Sequence, residues 1–273
     1  MMKKILCFCA ALTATFALSA QEVGLQLYSL RNQFKKDVSG TLDLIKSWDI
    51  VKIEGGDSYG LPVAEFKAML AERNFDIVSV QGGYLELKDD LNTVIQRAKD
   101  YDAEYVMCAW IDHKGDEFGI SNTKEAVEVF NSAGKRLKEK GITLVYHPHG
   151  YEFRPYKNGT LFDYMAANAE HFDFEMDVYW FRHGGADPMA MLNKYPDKFK
   201  LMHLKDMQKG TKGNNTGHSD VETNVVLGTG QIDIAALVKR GKELGIEYMF
   251  IEDESSRSVK QIPQSLSFLQ SIK

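Results

Sequence analysis

The sequence lacks the cysteines that a disulfide-supported fold requires. Only three of its 273 residues are cysteine, and Cys7 and Cys9 lie in an N-terminal stretch that has the features of a signal peptide. Its removal leaves Cys108 without a partner, so no disulfide can form within the remaining chain. Roughly 250 residues are enough to bury a core without cross-links, and we expect the core alone to hold the fold.

Long apolar runs are also scarce, which argues against a chain that spans a membrane. The run Ile5–Leu18 is too short to cross a bilayer. It follows Lys3 and Lys4 and leads to a small residue at Ala20, as in secretory signal peptides. We predict that residues 1–20 are a signal peptide and that the mature protein is soluble and exported, to the periplasm or elsewhere outside the cytoplasm.

Basic runs are absent as well. Without Lys3 and Lys4 the chain has 31 basic and 38 acidic side chains, a net charge of −7. An acidic chain without a basic patch is poorly suited to bind nucleic acid or an anionic membrane surface. We therefore expect a small molecule as the partner, with no nucleic acid and no membrane, and composition leaves assembly into a homo-oligomer open.

Two kinds of segment alternate through the rest of the chain. The first kind is short, apolar and rich in β-branched and aromatic residues, which is typical of buried strands. Eight such segments lie at residues 23–29, 50–56, 76–83, 103–110, 142–149, 172–180, 198–206 and 247–254. Each is followed by a stretch with helical spacing of apolar residues, such as PVAEFKAMLAERN and DIAALVKRGKELG.

This strict alternation of strand and helix predicts a parallel sheet. Eight units and this chain length match a (β/α)8 barrel, or TIM barrel. A doubly wound open sheet would need a glycine-rich phosphate turn after the first strand, and LQLYSLRNQF has none. We therefore predict an α/β fold with one (β/α)8 barrel domain over residues 21–273.

Polar side chains recur on one face of the predicted strands. Side chains alternate between the two faces of a strand, and inward-facing residues at the carboxyl ends of barrel strands line the active site. The residues with this placement are Gln26, Glu54, Gln81, His147, Asp177, His203, Lys205 and Glu252. Carboxylates and histidines that converge on one mouth predict a divalent-metal site with positions open to substrate, although a buried ion-pair network would use the same residue types.

Five motifs at the strand ends resemble those of a known family. They are YHPHGYEF at the fifth strand, MDVYW at the sixth, HLKD at the seventh, GTGQIDI at the start of the seventh helix and IEDE at the eighth strand. In this order they resemble the xylose-isomerase-like barrels, a family described broadly as sugar phosphate isomerases and epimerases. The resemblance covers most of the chain after the signal peptide.

The resemblance implies one divalent ion held by four side chains. Members of the family bind it through an acid on the fifth strand, Asp on the sixth, His on the seventh and Glu on the eighth, and Asp177, His203 and Glu252 match the last three. The fifth strand has no glutamate of its own, so we predict Glu152, just past YHPHGY, as the fourth ligand. The two histidines of that motif are the alternative. Manganese, magnesium, cobalt and zinc all suit such mixed ligands.

The resemblance also implies proton abstraction next to a carbonyl of a sugar or keto-sugar. We predict Glu152 and Glu252 as the catalytic pair, because two acids on opposite faces of a substrate can remove and return a proton. The residues predicted to contact the substrate are Gln26, Tyr28, Glu54, Gln81, Trp110, His147, His149, Trp180 and Lys205.

Several functions share such a site. The main prediction is an isomerase or epimerase, and the alternative is a lyase or dehydratase that acts on keto-sugars or keto-glycosides by β-elimination. A non-catalytic sugar-binding barrel would lack the metal ligands. A related branch that cleaves abasic DNA needs histidines on strands two and three, where this chain has Glu54 and Gln81. Export would favour unphosphorylated substrates, since sugar phosphates are mainly cytoplasmic.

Overall fold

A computed structural model describes residues 22–114 and 116–272 of the chain. The predicted signal peptide, residues 1–20, lies outside the described residues, so its cleavage, the export that it implies and the start of the domain at residue 21 stay predictions. Across the described part of the chain, no helix combines the length and the apolar character needed to cross a membrane.

Eight parallel strands close into a barrel, as the alternating pattern predicts. Each strand pairs with the next one along the chain, and the last pairs with the first, where Ile251 lies opposite Leu25. The strands are β1 (Glu22–Gln26), β2 (Lys52–Gly55), β3 (Asp76–Gln81), β4 (Tyr105–Cys108), β5 (Thr143–Tyr146), β6 (Asp173–Asp177), β7 (Phe199–Leu204) and β8 (Tyr248–Ile251). The prediction of a (β/α)8 barrel is confirmed.

Helices connect the strands and cover the outside of the barrel. The main helices are α1 (Val38–Lys46), α2 (Val63–Glu72), α3 (Leu91–Asp100), α4 (Ile120–Lys138), α5 (Leu161–Asn168), α6 (Pro188–Lys194), α7 (Ile234–Leu244) and α8 (Ser258–Ser271). Short helical segments lie at Leu27–Leu30, Arg31–Phe34, Tyr84–Asp89, Tyr151–Phe153, Val178–His183 and Val221–Thr223. Two-residue strands pair Pro155–Tyr156 with Gly159–Thr160 and Asp206–Met207 with Asn224–Val225.

All eight strands end before the predicted segments do, and in β1 and β6 a polar side chain starts a helical turn at that point. β1 ends at Gln26, whose side chain accepts a hydrogen bond from Tyr28 N (3.0 Å). β6 ends at Asp177, whose Oδ1 accepts one from Trp180 N (2.9 Å). A side-chain acceptor at this position satisfies a free N–H and favours the first helical turn. Both side chains are thereby held at the carboxyl end of the barrel.

The apolar residues form two core clusters. The larger one joins strands to helices and includes Phe34, Phe130 and Leu237. The smaller one is made by buried strand residues alone: Val78, Tyr105, Met107, Val145, Leu201 and Phe250. It fills the barrel interior, as side chains do in this fold, and forms an apolar floor below the polar residues at the strand ends.

Asp206, in the HLKD motif, holds the loop that contains GTGQIDI. Its buried carboxylate accepts hydrogen bonds of 2.7–3.2 Å from the backbone N–H groups of Met207, Gly228, Gly230 and Ile232. A Cβ on Gly230 would lie 2.2 Å from Asp206 Oδ1, so this approach requires glycine. We interpret these motif residues as the support of the barrel mouth.

Candidate metal centre and active-site cavity

Four side chains able to bind a metal meet at the carboxyl end of the barrel. Three of them lie two residues beyond members of the interior cluster, so strand alternation turns them inward above it, and the fourth ends β6. They are His147, Asp177, His203 and Glu252, all buried, and each offers a ligand atom within 4.8 Å of those of the others.

Asp177 lies at the centre of this group. Its Oδ2 is 3.3 Å from His147 Nε2 and 3.7 Å from His203 Nδ1. His203 Nδ1 is also 3.4 Å from Glu252 Oε2, and it has no hydrogen-bond partner among the described residues. A buried imidazole nitrogen that faces two carboxylates without a hydrogen bond is what a metal-binding histidine presents, so the donor set fits a divalent cation.

The second nitrogen of His203 faces two more buried carboxylates. Nε2 is 2.6 Å from Glu54 Oε1 and 3.2 Å from Glu175 Oε1, and Gln26 Nε2 donates to Glu54 at 2.6 Å. Burial and the nearby Glu54 raise the pKa of Glu175 to about 7. Glu54, Glu175 and His203 are themselves close enough to hold a cation. We interpret the two acids as the partners that orient His203, because metal-binding histidines commonly donate their other N–H to a carboxylate.

Both acids of the four-residue group are ionised. Burial would raise the pKa of Asp177, but the neighbouring His147, His203 and Lys205 outweigh it and hold the pKa well below its usual range. Burial would also raise the pKa of Glu252, but Lys205 and His203 lower it to about 2. A metal ligand needs the deprotonated form, which both carboxylates therefore have at neutral pH.

Lys205 is an ammonium group enclosed beside the centre. It is 1% exposed, and its Nζ lies 3.1 Å from Glu252 Oε2 and 2.5 Å from Glu254 Oε1. It also lies 5.4 Å and 5.6 Å from the ring centres of Tyr179 and Trp180. Burial would lower the pKa of Lys205, but the two glutamates raise it, so the ammonium stays charged and is held by these acids.

Glu152 lies outside the four-residue group. It is fully buried, and its carboxylate accepts hydrogen bonds from the Tyr146 hydroxyl and from the backbone N–H groups of His149 and Gly150. Gly150 has a φ of 102°, a left-handed conformation that glycine adopts without strain and that turns these N–H groups toward the carboxylate. His147 stands in the group where the sequence predicted Glu152, and Glu152 stabilises the loop after β5.

Burial raises the pKa of Glu152 to about 7 from its ordinary 4.5, which predicts a pH effect on folding. Below pH 4.5 both the folded and the unfolded chain keep this proton. As pH rises from 4.5 toward 7, the unfolded chain releases the proton while the folded chain still holds it. The free energy of unfolding therefore falls over this pH range. Glu152→Gln cannot titrate, so between these pH values its free energy of unfolding without metal should fall less than that of the unchanged protein, by on the order of 2 kcal/mol. Urea denaturation at several pH values gives the free energy of unfolding of both proteins. If this free energy depends on pH equally in the two proteins, the prediction is contradicted.

A cavity of about 460 Å³ opens above the four-residue group, a volume typical of small-molecule sites. The predicted substrate residues that line it are Gln26, Tyr28, Gln81, Trp110, His147, His149 and Trp180. Two others are not among its lining: Glu54 is fully buried below His203, and Lys205 is enclosed between its glutamates. The cavity brings most of the predicted contact residues together.

His149 forms part of the cavity wall between two tryptophans. Its ring centre lies 5.6 Å from that of Trp110 and 4.8 Å from that of Trp180. Its Nδ1 lies 3.2 Å from His147 Nδ1, which leaves Nε2 for other contacts. Burial lowers the pKa of His149 well below its usual range, so the imidazole is neutral at neutral pH.

Three polar cavity residues were missed from the sequence: Glu254, His218 and Ser219. Glu254 lines the cavity two residues beyond Glu252, and the same alternation that picked out Glu252 in IEDE could have found it. His218 lines the cavity with its ring centre 5.6 Å from that of Trp110. It belongs to the segment between β7 and α7, whose sequence has no regular apolar period, so no pattern pointed to it.

Fold and site together define a (β/α)8 barrel with a candidate metal centre under a cavity at its carboxyl end. Residues 45–272 match the family model of the xylose isomerase-like TIM barrel. The chain therefore belongs to this family, and the predicted resemblance is confirmed.

Solved structures share this fold at low sequence identity. Two crystal structures of a sugar phosphate isomerase/epimerase from Parabacteroides distasonis ATCC 8503 are 21% and 22% identical, with TM-scores of 0.75 and 0.76. The alignments cover 94% and 92% of this chain and 96% and 98% of those chains. The IOLI protein, solved with a bound zinc atom, is 12% identical with a TM-score of 0.70, over 92% of this chain and 96% of its own. No curated protein matched the sequence.

Proposed function

We propose that this protein is a divalent-metal-dependent isomerase or epimerase that removes and returns a proton next to the carbonyl of a sugar or keto-sugar. The observation that carries this proposal is the group of two histidines and two ionised acids under a cavity at the carboxyl end of the barrel, where enzymes of this fold have their active sites. Membership of the xylose isomerase-like family, and a fold shared with sugar phosphate isomerases/epimerases, support an enzyme that acts on sugars.

The four-residue group is our assignment for the metal ligands, so His147 replaces Glu152 in the predicted set. Both oxygens of Glu152 accept hydrogen bonds within its own loop, whereas His147 Nε2 faces Asp177 Oδ2. A bound divalent ion would polarise the substrate carbonyl and acidify the neighbouring C–H. Two imidazole ligands favour manganese, cobalt or zinc over magnesium, which prefers oxygen ligands.

His149 is our assignment for the residue that takes the proton. Of the predicted pair, Glu152 is enclosed in its loop and Glu252 has Oε2 between Lys205 and His203, a placement that suits a metal ligand. His149 instead lines the cavity, within reach of a bound molecule. Returning the proton to the other face of the same carbon gives epimerisation, and returning it to the neighbouring carbon gives isomerisation.

A second cavity favours β-elimination as the alternative. It has a volume of about 480 Å³ and adjoins the first, because Gln26, Tyr28 and Gln81 line both. Tyr28 is 53% exposed at this junction, and the Arg31 guanidinium lies 4.4 Å from its ring centre. The continuous space has room for a substituent on the sugar, such as the leaving group of a keto-glycoside. A lyase or dehydratase is therefore the second candidate.

Metal analysis together with proton exchange tests the proposal. The purified protein should hold about one divalent ion per chain, and a chelator should abolish turnover of the active sugar until manganese, cobalt or zinc is restored. Elemental analysis gives the metal content, and NMR of keto-sugars and glycosides in deuterated water gives the reaction. Deuterium next to the carbonyl of a rearranged sugar identifies an isomerase or epimerase, whereas an unsaturated product identifies elimination. Undiminished activity of metal-free protein would refute the metal-dependent proposal.

A further inference from the structure

The second cavity, which adjoins the active-site cavity, has basic side chains in its wall. Arg31 and Lys35 line it, and Asp57 is the acid among its described lining residues. The active-site cavity differs, because Glu252 and Glu254 line it and the residues described there include no lysine or arginine. Positive charge therefore exceeds negative charge in the wall of the second cavity, whereas acids line the end above the metal centre.

Arg31 and Lys35 lie on the same side of one helical turn. The short helix Arg31–Phe34 follows β1, and Lys35 N donates to Arg31 O (3.3 Å) where this helix ends. Residues four apart in a helix present their side chains to the same face, and both residues line the second cavity. The two cations are therefore placed to contact one group.

The Arg31 guanidinium lies at the junction of the two cavities. It is 4.4 Å from the ring centre of Tyr28, and it donates to the backbone oxygens of Tyr28 (3.0 Å) and Glu254 (3.1 Å). Tyr28 lines both cavities. Glu254 Oε2 lies 3.9 Å from Arg31, beyond hydrogen-bond distance. A guanidinium has five N–H donors, and contacts within the described part of the chain use two of them, so the others remain for a ligand.

Lys35 has no counter-ion within 4.0 Å among residues 22–114 and 116–272, and its side chain is exposed. Asp57, the acid in the same wall, has Oδ1 bonded to the backbone N–H of Tyr59 (2.8 Å). Tyr59 also lines the cavity, and its ring stacks on Phe34 with 4.1 Å between the ring centres. The wall thus combines an unpaired ammonium with a guanidinium that has donors to spare, the groups with which proteins bind carboxylates and phosphates.

We propose that the second cavity is a subsite for a negatively charged group of the substrate, a carboxylate or a phosphate, which pairs with Arg31 and Lys35 while the carbonyl end of the same molecule lies at the metal centre. This inference rests on the proposed function, because it concerns a substrate that occupies both cavities. It adds to that function the charge of the substrate and the residues that recognise it.

Ligand relaxation by bound Mn²⁺ tests the subsite without requiring turnover. The probes are matched keto-sugars: fructose, fructuronate, which has a carboxylate at the last carbon, and fructose 6-phosphate, with tagatose, tagaturonate and tagatose 6-phosphate as a second set. Each is titrated into the Mn²⁺-loaded protein, and protein-bound Mn²⁺ is measured after each titration. We expect a charged member of at least one set to bind roughly 10-fold more tightly than the neutral sugar.

The two charged probes distinguish the sources of the charge. A gain for the acid alone identifies a carboxylate subsite, a gain for the ester alone identifies a phosphate subsite, and a gain for both identifies a subsite that takes either. Neutral sugars that bind as tightly as their charged counterparts would overturn the inference and leave the proposed function standing. Relaxation of no probe, despite bound Mn²⁺, would count against both.

Charge reversal in the wall shows whether the gain comes from the proposed cations. Lys35→Glu should weaken binding of the charged probe roughly 10-fold, while Mn²⁺ affinity and neutral-sugar binding stay unchanged. Lys36→Glu is the matched control, because Lys36 is the exposed neighbour of the same charge but is not among the described lining residues. Equal weakening by the two variants would reduce the effect to net charge and overturn the inference. A gain that persists in both Lys35→Glu and Arg31→Gln would place the charged group on the metal ion, which would also overturn it.

Discussion

The His147→Ala variant should bind a divalent ion at least roughly 100-fold more weakly than the unchanged protein, and turnover should fall with it. Removing a partner that only orients a ligand already costs about 10- to 100-fold in metal affinity, so removing one of four ligands should cost at least the upper end of that range. His147 Nε2 lies 3.3 Å from Asp177 Oδ2, and alanine offers no ligand atom in its place. Competition with a chelating dye measures the affinity, and circular dichroism checks that the barrel persists.

Glu152→Gln is the matched control for this experiment. Gln has nearly the same shape, its amide oxygen can accept from the His149 and Gly150 backbone, and its amide nitrogen can donate to Tyr146. Metal affinity should therefore stay within a few-fold of that of the unchanged protein. His203→Ala should lose metal affinity as His147→Ala does, and its barrel should likewise stay folded. Suppose instead that Glu152→Gln loses metal and His147→Ala retains it. Then Glu152 is the ligand, as the sequence predicted, and the loop after β5 rearranges when metal binds.

The barrel was predictable because each strand and helix carries its own local pattern. Alternation along the strands also selects the inward face, and it is why His203, two residues beyond the apolar Leu201, could be placed at the barrel mouth. Alternation predicts which face of a strand a side chain lies on, but it does not predict how far below the barrel mouth the side chain lies. Glu54 and His203 were both predicted at the mouth, but Glu54 lies on the far side of the imidazole, bonded to its Nε2.

The loop after β5 was not predictable for a different reason. The pattern suggested a strand to residue 149, but β5 ends at Tyr146, and its pairing with β4 continues only to the hydrogen bond from His147 N to Cys108 O. Beyond His147 the alternation rule no longer determines direction. The left-handed backbone at Gly150 and the buried Tyr146 hydroxyl together turn Glu152 into its own loop. The local sequence around Glu152 is equally compatible with a metal ligand, so the sequence alone could not show that its carboxylate is bonded within this loop.

The His149→Asn variant should keep its metal and lose turnover by roughly 10²- to 10⁴-fold, the range that a general base contributes. Asn can preserve the contact of His149 Nδ1 with His147 but presents no basic nitrogen to the cavity. If His149 removes the substrate proton, the variant should also stop exchanging that proton with deuterated solvent.

His218→Asn is the matched control, because His218 lines the same cavity beside Trp110 but lies outside the four-residue group. Its turnover should fall only a few-fold. Glu252→Gln should fail in another way, because it weakens metal binding, and excess Mn²⁺ should restore part of its exchange. If His149→Asn exchanges the proton at the normal rate yet forms no product, His149 returns the proton and another group removes it. If His149→Asn keeps full turnover, the assignment is wrong, and Glu252 must combine metal binding with proton transfer, as the sequence first predicted.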